Sequence, residues 1–217
     1  MSMDVRNILP QTLDFKGSNA VNKGADWART IVIAPAIAPI LKSTNASPIQ
    51  ITTQIPHGLS TGNTVVISGH GVNTAANNNT VNQTWTVTVI DTLNFTLNGS
   101  AGNGVGGATG NVGQPLNLTG YTPAMNICDA PGGYIIITPS VSVISPATNG
   151  MLQIVMTAAQ TAAPVVPNTN TQMANDPVDM TTRAVSSGIY DLWIKGTYTV
   201  KLLQGVVQFV NTITSPQ

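Results

Sequence analysis

The two histidines of the chain, His57 and His70, are the first residues whose side chains could support catalysis or bind a metal ion. They lie at either end of one stretch rich in glycine and threonine, "PHGLSTGNTVVISGH". A metal site requires several ligands, and no aspartate lies near either histidine in the sequence. We therefore expect His57 to form a hydrogen bond across a turn while Leu59 enters a core, and we expect no metal, no cofactor and no catalytic residue.

Asp176 and Asp179 in "NDPVDM" form the closest pair of carboxylates. The sequence "NDP" is typical of a turn, and the alternative is a calcium-binding loop. Both residues belong to the segment 164–188, which shows no hydrophobic periodicity, and loops of this length are often functional. We expect a partner contact in this segment, at Asp176, Asp179, Met180 and Arg183.

A second contact is predicted in the stretch "GHGVNTAANNNTV", residues 69–81, which is rich in asparagine and typical of a mobile loop. We expect Asn77 and Asn78 to contact a partner there. A carbohydrate-binding role would place the same loop against a sugar. The loop contains no Trp or Tyr that could form an aromatic platform, which counts against that role.

The composition indicates an all-β protein without nucleic-acid partners. Charged residues are only 7% of the chain, against about 25% in soluble domains, and every acidic residue is aspartate. Thr, Val, Ile, Asn and Gly dominate, which favours strands joined by tight turns. The net charge is zero, and the few Lys and Arg residues are scattered, so no basic stripe is present to neutralise phosphates.

The low charge also leaves strand edges without electrostatic protection against pairing. This favours a subunit of an assembly, and the alternative is a secreted polar β domain.

The N-terminus has no cationic start followed by an apolar run, and no segment reaches the roughly 18 to 20 apolar residues of a membrane span. We expect no Sec signal and no membrane partner. Cys128 is the only cysteine, so no intrachain disulfide can form, and we expect it to act as a small buried residue.

The pattern of short alternating runs predicts two domains. Residues 46–111 contain runs such as "TWTVTVI", in which Trp85, Val87 and Val89 share one face, and they predict a small β-barrel. The flanks, residues 1–45 and 112–217, read as a discontinuous β-sandwich interrupted by this barrel. Within the sandwich we expect Trp27 and Trp193 to pack in the core, and Tyr190 to bond back to the chain as a corner tyrosine.

Five motifs occur in order in the flanking segments: "ADWARTIVI", "PLNLTGYTPAMNIC", "GMLQIVMTAAQTAA", "GIYDLWI" and "VKLLQGVVQFVNTIT". Over most of residues 13–33 and 114–214 they resemble the N-terminal immunoglobulin-like domain of upper-baseplate proteins of tailed bacteriophages. The resemblance implies an immunoglobulin-like sandwich that anchors the chain in a virion.

The inserted segment carries its own resemblance. The stretches "ITTQIPHGLSTGNTVVISGHG" and "NQTWTVTVIDTLNFTLNG" are similar to a small barrel repeated in phage tail and fibre proteins and named after a half-domain of the ubiquitin-activating enzyme. The family has a Gly-Asp turn where this chain has Gly62-Asn63. No ubiquitin-transfer cysteine or adenylate site is present, so the resemblance extends only to the barrel.

Together the resemblances imply a non-enzymatic virion protein, a tail, baseplate or fibre adaptor subunit. It would form a homo-oligomer and contact other virion proteins of the tail, neck or fibre after assembly in the host cytoplasm. Two alternatives stay open. One is a capsid decoration or head-fibre base protein, and the other is a carbohydrate-binding receptor module whose partner is a host surface glycan.

Overall fold

The computed structural model describes residues 11–78, 84–162, 164–167, 182–184 and 186–210. The chain is 47% strand and 8% helical, which confirms the predicted all-β class. The strands are β1 (Gln11–Thr12), β2 (Val21–Asn22), β3 (Trp27–Val32), β4 (Ala36–Ser43), β5 (Ile49–Thr53), β6 (Thr64–Ser68), β7 (Trp85–Val89), β8 (Asn94–Leu97), β9 (Asn111–Gly113), β10 (Thr122–Cys128), β11 (Ile135–Ile137), β12 (Ser140–Val143), β13 (Met151–Met156), β14 (Val165–Pro167), β15 (Thr182–Ala184), β16 (Ser187–Lys195) and β17 (Thr199–Val210). One short helix, α1, spans Ala158–Ala162.

The chain divides into two compact units. The first comprises Met1–Ile31, Gly120–Val143 and Leu152–Gln217, and the second comprises Val32–Thr119 and Ile144–Met151. In sequence, the second unit interrupts the first.

Among the described residues, the first unit contains a large sheet, a small one, and a two-stranded sheet of β14 and β15. The large sheet has the order β1-β17-β16-β10-β11, with β2 also pairing with β17, and the small sheet has the order β12-β13-β3. Strand β16 buries Gly188, Tyr190, Leu192 and Ile194 in alternation with more exposed residues. Because successive side chains of a strand point to opposite faces, this sheet has one core face and one outer face.

Phe15 connects the two sheets in the core of the first unit. Its ring centroid lies 5.0 Å from that of Trp27 on β3 and 5.2 Å from that of Tyr190 on β16. Trp27 is only 6% exposed, as predicted. The hydroxyl of Tyr190 donates to the carbonyl oxygen of Leu13. The predicted bond back to the chain is therefore present, but it reaches a distant segment and not the few residues upstream that a tyrosine corner uses. The sandwich is therefore held by aromatic contacts between side chains that are far apart in sequence.

The second unit contains a closed barrel of strand order β4-β5-β8-β7-β6-β9. Its interior is filled by isoleucine, valine, leucine and aromatic side chains, including Phe95, Trp85 and Val87. Trp85 is 7% exposed and Val87 is fully buried, as the alternation in "TWTVTVI" predicts, and the indole Nε1 of Trp85 donates to the carbonyl oxygen of Ala76. The prediction of a small inserted barrel is confirmed.

Strand β4 completes the barrel by pairing with β5 on one side and with β9 on the other. In the ladder between β4 and β9, Ala36 is the partner of Gly113. The strands of the barrel therefore extend from Ala36 to Gly113. Whether residues 46–111 fold as an independent domain stays a prediction.

Helix α1 begins at a capping box. The backbone N–H of Thr157 donates to Gln160 Oε1 at 2.9 Å, and the backbone N–H of Gln160 donates to Thr157 Oγ1 at 3.3 Å. This reciprocal pair satisfies donors that the first turn of a helix leaves open.

Across the described ranges, helices are too short or too polar to span a membrane.

Candidate functional site

His57 is a buried turn residue of the barrel, as predicted. The backbone N–H of Leu59 donates to His57 Nδ1 at 2.9 Å. Nε2 therefore carries the ring proton and donates to the carbonyl oxygen of Asp91 at 3.0 Å. The ring also packs edge-on against Phe95 at 5.1 Å between centroids. Both ring nitrogens are thus used to fix the turn, and Leu59 enters the barrel core.

The segment Gly58–Gly62 has the Gly-x-Ser-x-Gly spacing of a nucleophile elbow. Such an elbow needs a strand, a sharp turn and then a helix, whereas this segment leads into strand β6. Ser60 is exposed. The nitrogens of the neighbouring His57 are already bonded to Leu59 and Asp91. No ring nitrogen of His57 is therefore free to accept the proton of the Ser60 hydroxyl.

Ser43 and His70 form a second pair with the chemistry of a nucleophile and a base. Ser43 Oγ lies 2.7 Å from His70 Nε2, and His70 Nδ1 lies 2.8 Å from the carbonyl oxygen of Thr109. A carbonyl only accepts, so Nδ1 donates to Thr109 and Nε2 accepts from Ser43. The amide of Asn73 donates to Ser43 Oγ at 3.0 Å. All of these polar groups are satisfied within the barrel.

This pair is closed to solvent. Ser43 is 2% exposed and His70 is 1% exposed. Gly106 lies directly over them, because a Cβ at position 106 would collide with His70 Nε2 and with Ser43 Oγ. A substrate cannot reach the hydroxyl in this arrangement, and the network serves to hold the loop after β6 and the loop before β9 onto the barrel.

Asn77 and Asn78 extend the hydrogen bonding at the end of β6. The side chain of Asn77 accepts from the N–H of His70 at 2.9 Å and donates to the His70 carbonyl oxygen at 2.8 Å. Asn78 Oδ1 accepts from the N–H of Ile67. The described part of this stretch, residues 69–78, contains a 3-10 turn at Thr74–Ala76 and is anchored to the barrel. A partner contact at Asn77 and Asn78 stays a prediction.

The other four predicted contact residues are placed only in part. Asp176, Asp179 and Met180 lie outside the described residues. Arg183 belongs to β15, whose backbone pairs with β14 so that Val166 is the partner of Arg183.

A cavity of about 670 Å³ lies on the outer face of the large sheet, within the first unit. Three strands contribute its central residues: Asn126 and Cys128 from β10, Asp191 and Trp193 from β16, and Lys201 and Gln204 from β17. The register explains this grouping, because Asn126 and Gln204 are the partners of Asp191 on the two sides of β16. Volumes between about 300 and 1,000 Å³ are typical of ligand pockets.

The prediction that Trp193 packs in the core is wrong. Trp193 is half-buried and faces the cavity instead of the core, because it follows the buried Leu192 and precedes the buried Ile194 on an alternating strand. The ammonium group of Lys201 lies 5.0 Å from the centre of the Trp193 ring, in a cation–π contact. The same ammonium group forms an ion pair of 2.9 Å with Asp191 Oδ1.

Asp14 and Tyr190 form the wall of the cavity near the N-terminal segment. Hydrogen bonds from the N–H of Val206 and then from Lys16 lower the pKa of Asp14. Burial, and to a lesser extent the charge of Asp14, raises the pKa of Tyr190. The carboxylate is thus ionised at neutral pH, whereas the phenol is protonated and its hydroxyl is already bonded to Leu13.

Cys128 is half-buried, lines the cavity and carries a free thiol. Burial raises its pKa, and the charges of Asp191 and Asp129 raise it further. The prediction of a small buried residue is therefore correct only in part, since the thiol borders a cavity. Its raised pKa keeps it protonated, which is the less reactive form.

The described residues contain no cluster of three or more His, Cys, Asp or Glu side chains able to hold a metal ion. No protein-family model matches the chain, and no curated protein matches it either.

Proposed function

We propose that the chain is a non-enzymatic structural subunit of a bacteriophage virion, an adaptor of the tail, baseplate or fibre that assembles through protein–protein contacts. The motifs that resemble upper-baseplate proteins support this proposal. The near absence of charge supports it as well, since a surface with few ions is inexpensive to desolvate when subunits pack together.

The observation that carries the proposal is the outer edge of strand β12. Among the residues that the structure describes, β12 forms a backbone ladder with β13 on one side and with no strand on the other, where β10 packs near it without pairing. The N–H of Ile144 donates to Met151, so in the antiparallel ladder Ser142 and Ser140 also point their backbone groups toward β13. The backbone groups of Val141 and Val143 therefore face the open side.

Nothing in the sequence of β12 blocks pairing at this edge. Monomeric β proteins protect such edges with charged residues, prolines or bulges. The strand "SVSV" contains neither a charge nor a proline, and its ladder with β13 runs in regular register from Ser140 to Val143. An edge of this kind is suited to pairing with another subunit.

The proposal is tested by the mass of the full-length protein in solution, measured by light scattering, together with its copy number in phage particles. The variant Ser140→Lys/Ser142→Lys places two charges on exposed positions of β12. Ser68→Lys is the matched control, because Ser68 is exposed but its strand β6 is paired on both sides within the closed barrel.

We expect a defined oligomer that the β12 variant dissociates and the control leaves intact. Low copy number in purified particles would fit a tail or fibre adaptor, whereas hundreds of copies would point to capsid decoration. A monomer at all concentrations, without any association with particles, would contradict the proposal.

A further inference from the structure

The cavity on the outer face of the large sheet contains an aromatic ring with one open side. Strands β10 and β17 flank β16 on opposite sides. On the β17 side, the ammonium group of Lys201 covers the Trp193 ring. On the β10 side, the partner of Trp193 is Ala124, whose methyl group is too small to cover an indole. One face of the ring is therefore available to a ligand.

Hydrogen-bond donors and acceptors that other residues leave unused surround this ring. Asn126 accepts a hydrogen bond from Thr138 through Oδ1, which leaves its amide N–H groups without a partner among the described residues. Gln204 is exposed, and no other described residue forms a hydrogen bond with its side chain. Asp191 binds Lys201 through Oδ1, so Oδ2 can still accept. A ligand that satisfies these groups must donate and accept at closely spaced positions.

The charges of the cavity are neutralised locally. Asp191 is paired with Lys201 at 2.9 Å, and Asp14 is paired with Lys16 at 3.0 Å. An anionic ligand would meet two carboxylates, and a cationic ligand would compete with lysines that are already in place. The electrostatics therefore favour a neutral ligand.

The end of the cavity next to Cys128 is apolar. Its walls include Pro131, Ile135, Ile189 and Val206, and Ile135 is 56% exposed. An exposed isoleucine at a cavity wall gains free energy when a ligand covers it. The ligand should thus combine many hydroxyl groups with a small apolar group.

From these four properties we propose that the cavity on the outer sheet face, centred on Trp193, Asp191 and Gln204, binds a neutral oligosaccharide whose sugar rings carry N-acetyl groups. The polarised C–H groups of one pyranose face stack on the open, electron-rich face of Trp193. The ring hydroxyls bond to Asp191, Gln204 and Asn126, and an acetamido methyl covers Ile135. The inference goes beyond the proposed function and does not depend on it.

Isothermal titration calorimetry of the full-length protein tests the proposal, with triacetylchitotriose as the probe and cellotriose as the comparator. The two sugars share their backbone and differ in the acetamido groups. We expect triacetylchitotriose to bind and cellotriose to bind more weakly. Absence of binding by both sugars would overturn the proposal, and equal binding would overturn the assignment of the acetamido group to the apolar end.

Matched variants locate the site. Gln204 and Gln153 are both exposed residues on strands, but only Gln204 lines the cavity. Loss of one neutral hydrogen bond should weaken binding by roughly three- to tenfold in Gln204→Ala, and Gln153→Ala should bind as the unmodified chain does. Trp193→Ala should weaken binding at least about tenfold, with circular dichroism as the check that it is folded. If both glutamine variants bind equally well, the sugar does not occupy this cavity.

Discussion

The hydroxyl of Tyr190 donates a hydrogen bond of 2.6 Å to the carbonyl oxygen of Leu13, a residue 177 positions earlier in the chain. Gly205 makes room for this contact, since a Cβ at that position would collide with the same carbonyl oxygen. Tyr190 is only 2% exposed. Tyr190 thus fixes the segment around Leu13 over the central strands of the large sheet.

Replacing Tyr190 by phenylalanine should destabilise the protein. The change removes the donor to the Leu13 carbonyl oxygen, and the loss of one hydrogen bond costs about 0.5–1.5 kcal/mol. Denaturant unfolding followed by circular dichroism measures this difference. The control is Tyr198→Phe, because Tyr198 is 67% exposed and its loss of a hydroxyl should change stability by less than about 0.5 kcal/mol. Equal stability of the two variants would contradict the assigned role of the Tyr190 hydroxyl.

Two neighbouring glycines should respond differently to alanine. A Cβ at Gly106 would collide with the buried Ser43 and His70, whereas a Cβ at Gly107 meets no atom within 4 Å. Overpacking of this kind typically costs about 1–3 kcal/mol, so Gly106→Ala should lower the midpoint of thermal unfolding. Gly107→Ala should leave it unchanged or raise it slightly. The prediction fails if both variants unfold at the same temperature.

Asp91 should contribute to the acid sensitivity of the barrel. Hydrogen bonds from the N–H of Leu93 and from Asn94 lower the pKa of Asp91 below its ordinary value of 3.8. A carboxylate whose pKa is lowered in the folded state stabilises the fold above the unfolded pKa, and this stabilisation is lost as the pH falls through the folded pKa. Asp91→Asn should therefore be less stable at neutral pH and lose less stability below about pH 4. Denaturant unfolding at a series of pH values measures the free energy of unfolding. If this free energy depends on pH in the same way in the variant and in the unmodified protein, Asp91 does not have this role.

Cys128 should react slowly with thiol reagents in the native protein. The thiolate is the reactive form, and burial together with Asp191 and Asp129 raises the pKa of this thiol. At pH 7.5 to 8, roughly, iodoacetamide should modify native Cys128 more slowly than a cysteine of an unstructured peptide. Unfolding in urea should remove the difference. A native rate equal to that of the peptide would show that the thiol is not shielded and that its pKa is not raised.

Much of the fold could be predicted from local pattern. The alternation in "TWTVTVI" places Trp85 and Val87 in the barrel core, where they are buried. The capping box of Thr157 and Gln160 is a local pattern that marks the start of α1, and the turn at His57 predicts the bond to Leu59. Each of these features depends on residues within a few positions of one another, which is the range that periodicity and turn chemistry cover.

The candidate site depends on how distant strands pair, and this pairing is harder to predict from the sequence than local structure is. His70 reaches Ser43 and Thr109, which lie 27 and 39 positions away, and no local pattern links them. For Trp193 a local signal existed. Leu192 and Trp193 are neighbours on one strand, so their side chains point to opposite faces and cannot both lie in the core. The strands that bring Asn126 and Gln204 beside Asp191 could be read individually, but their order in the sheet could not.

The pairing of Ala36 with Gly113 in the ladder between β4 and β9 means that the barrel begins and ends at the same place. Opposed residues in antiparallel strands have Cα atoms only about 4.5 to 5.5 Å apart, a gap that a short connection can bridge. A segment with adjoining ends can be gained, lost or exchanged by recombination between genes without forcing apart the residues that flank it. Because the barrel closes, the two ends of this segment lie side by side, which is the geometry that favours insertion of one segment into another.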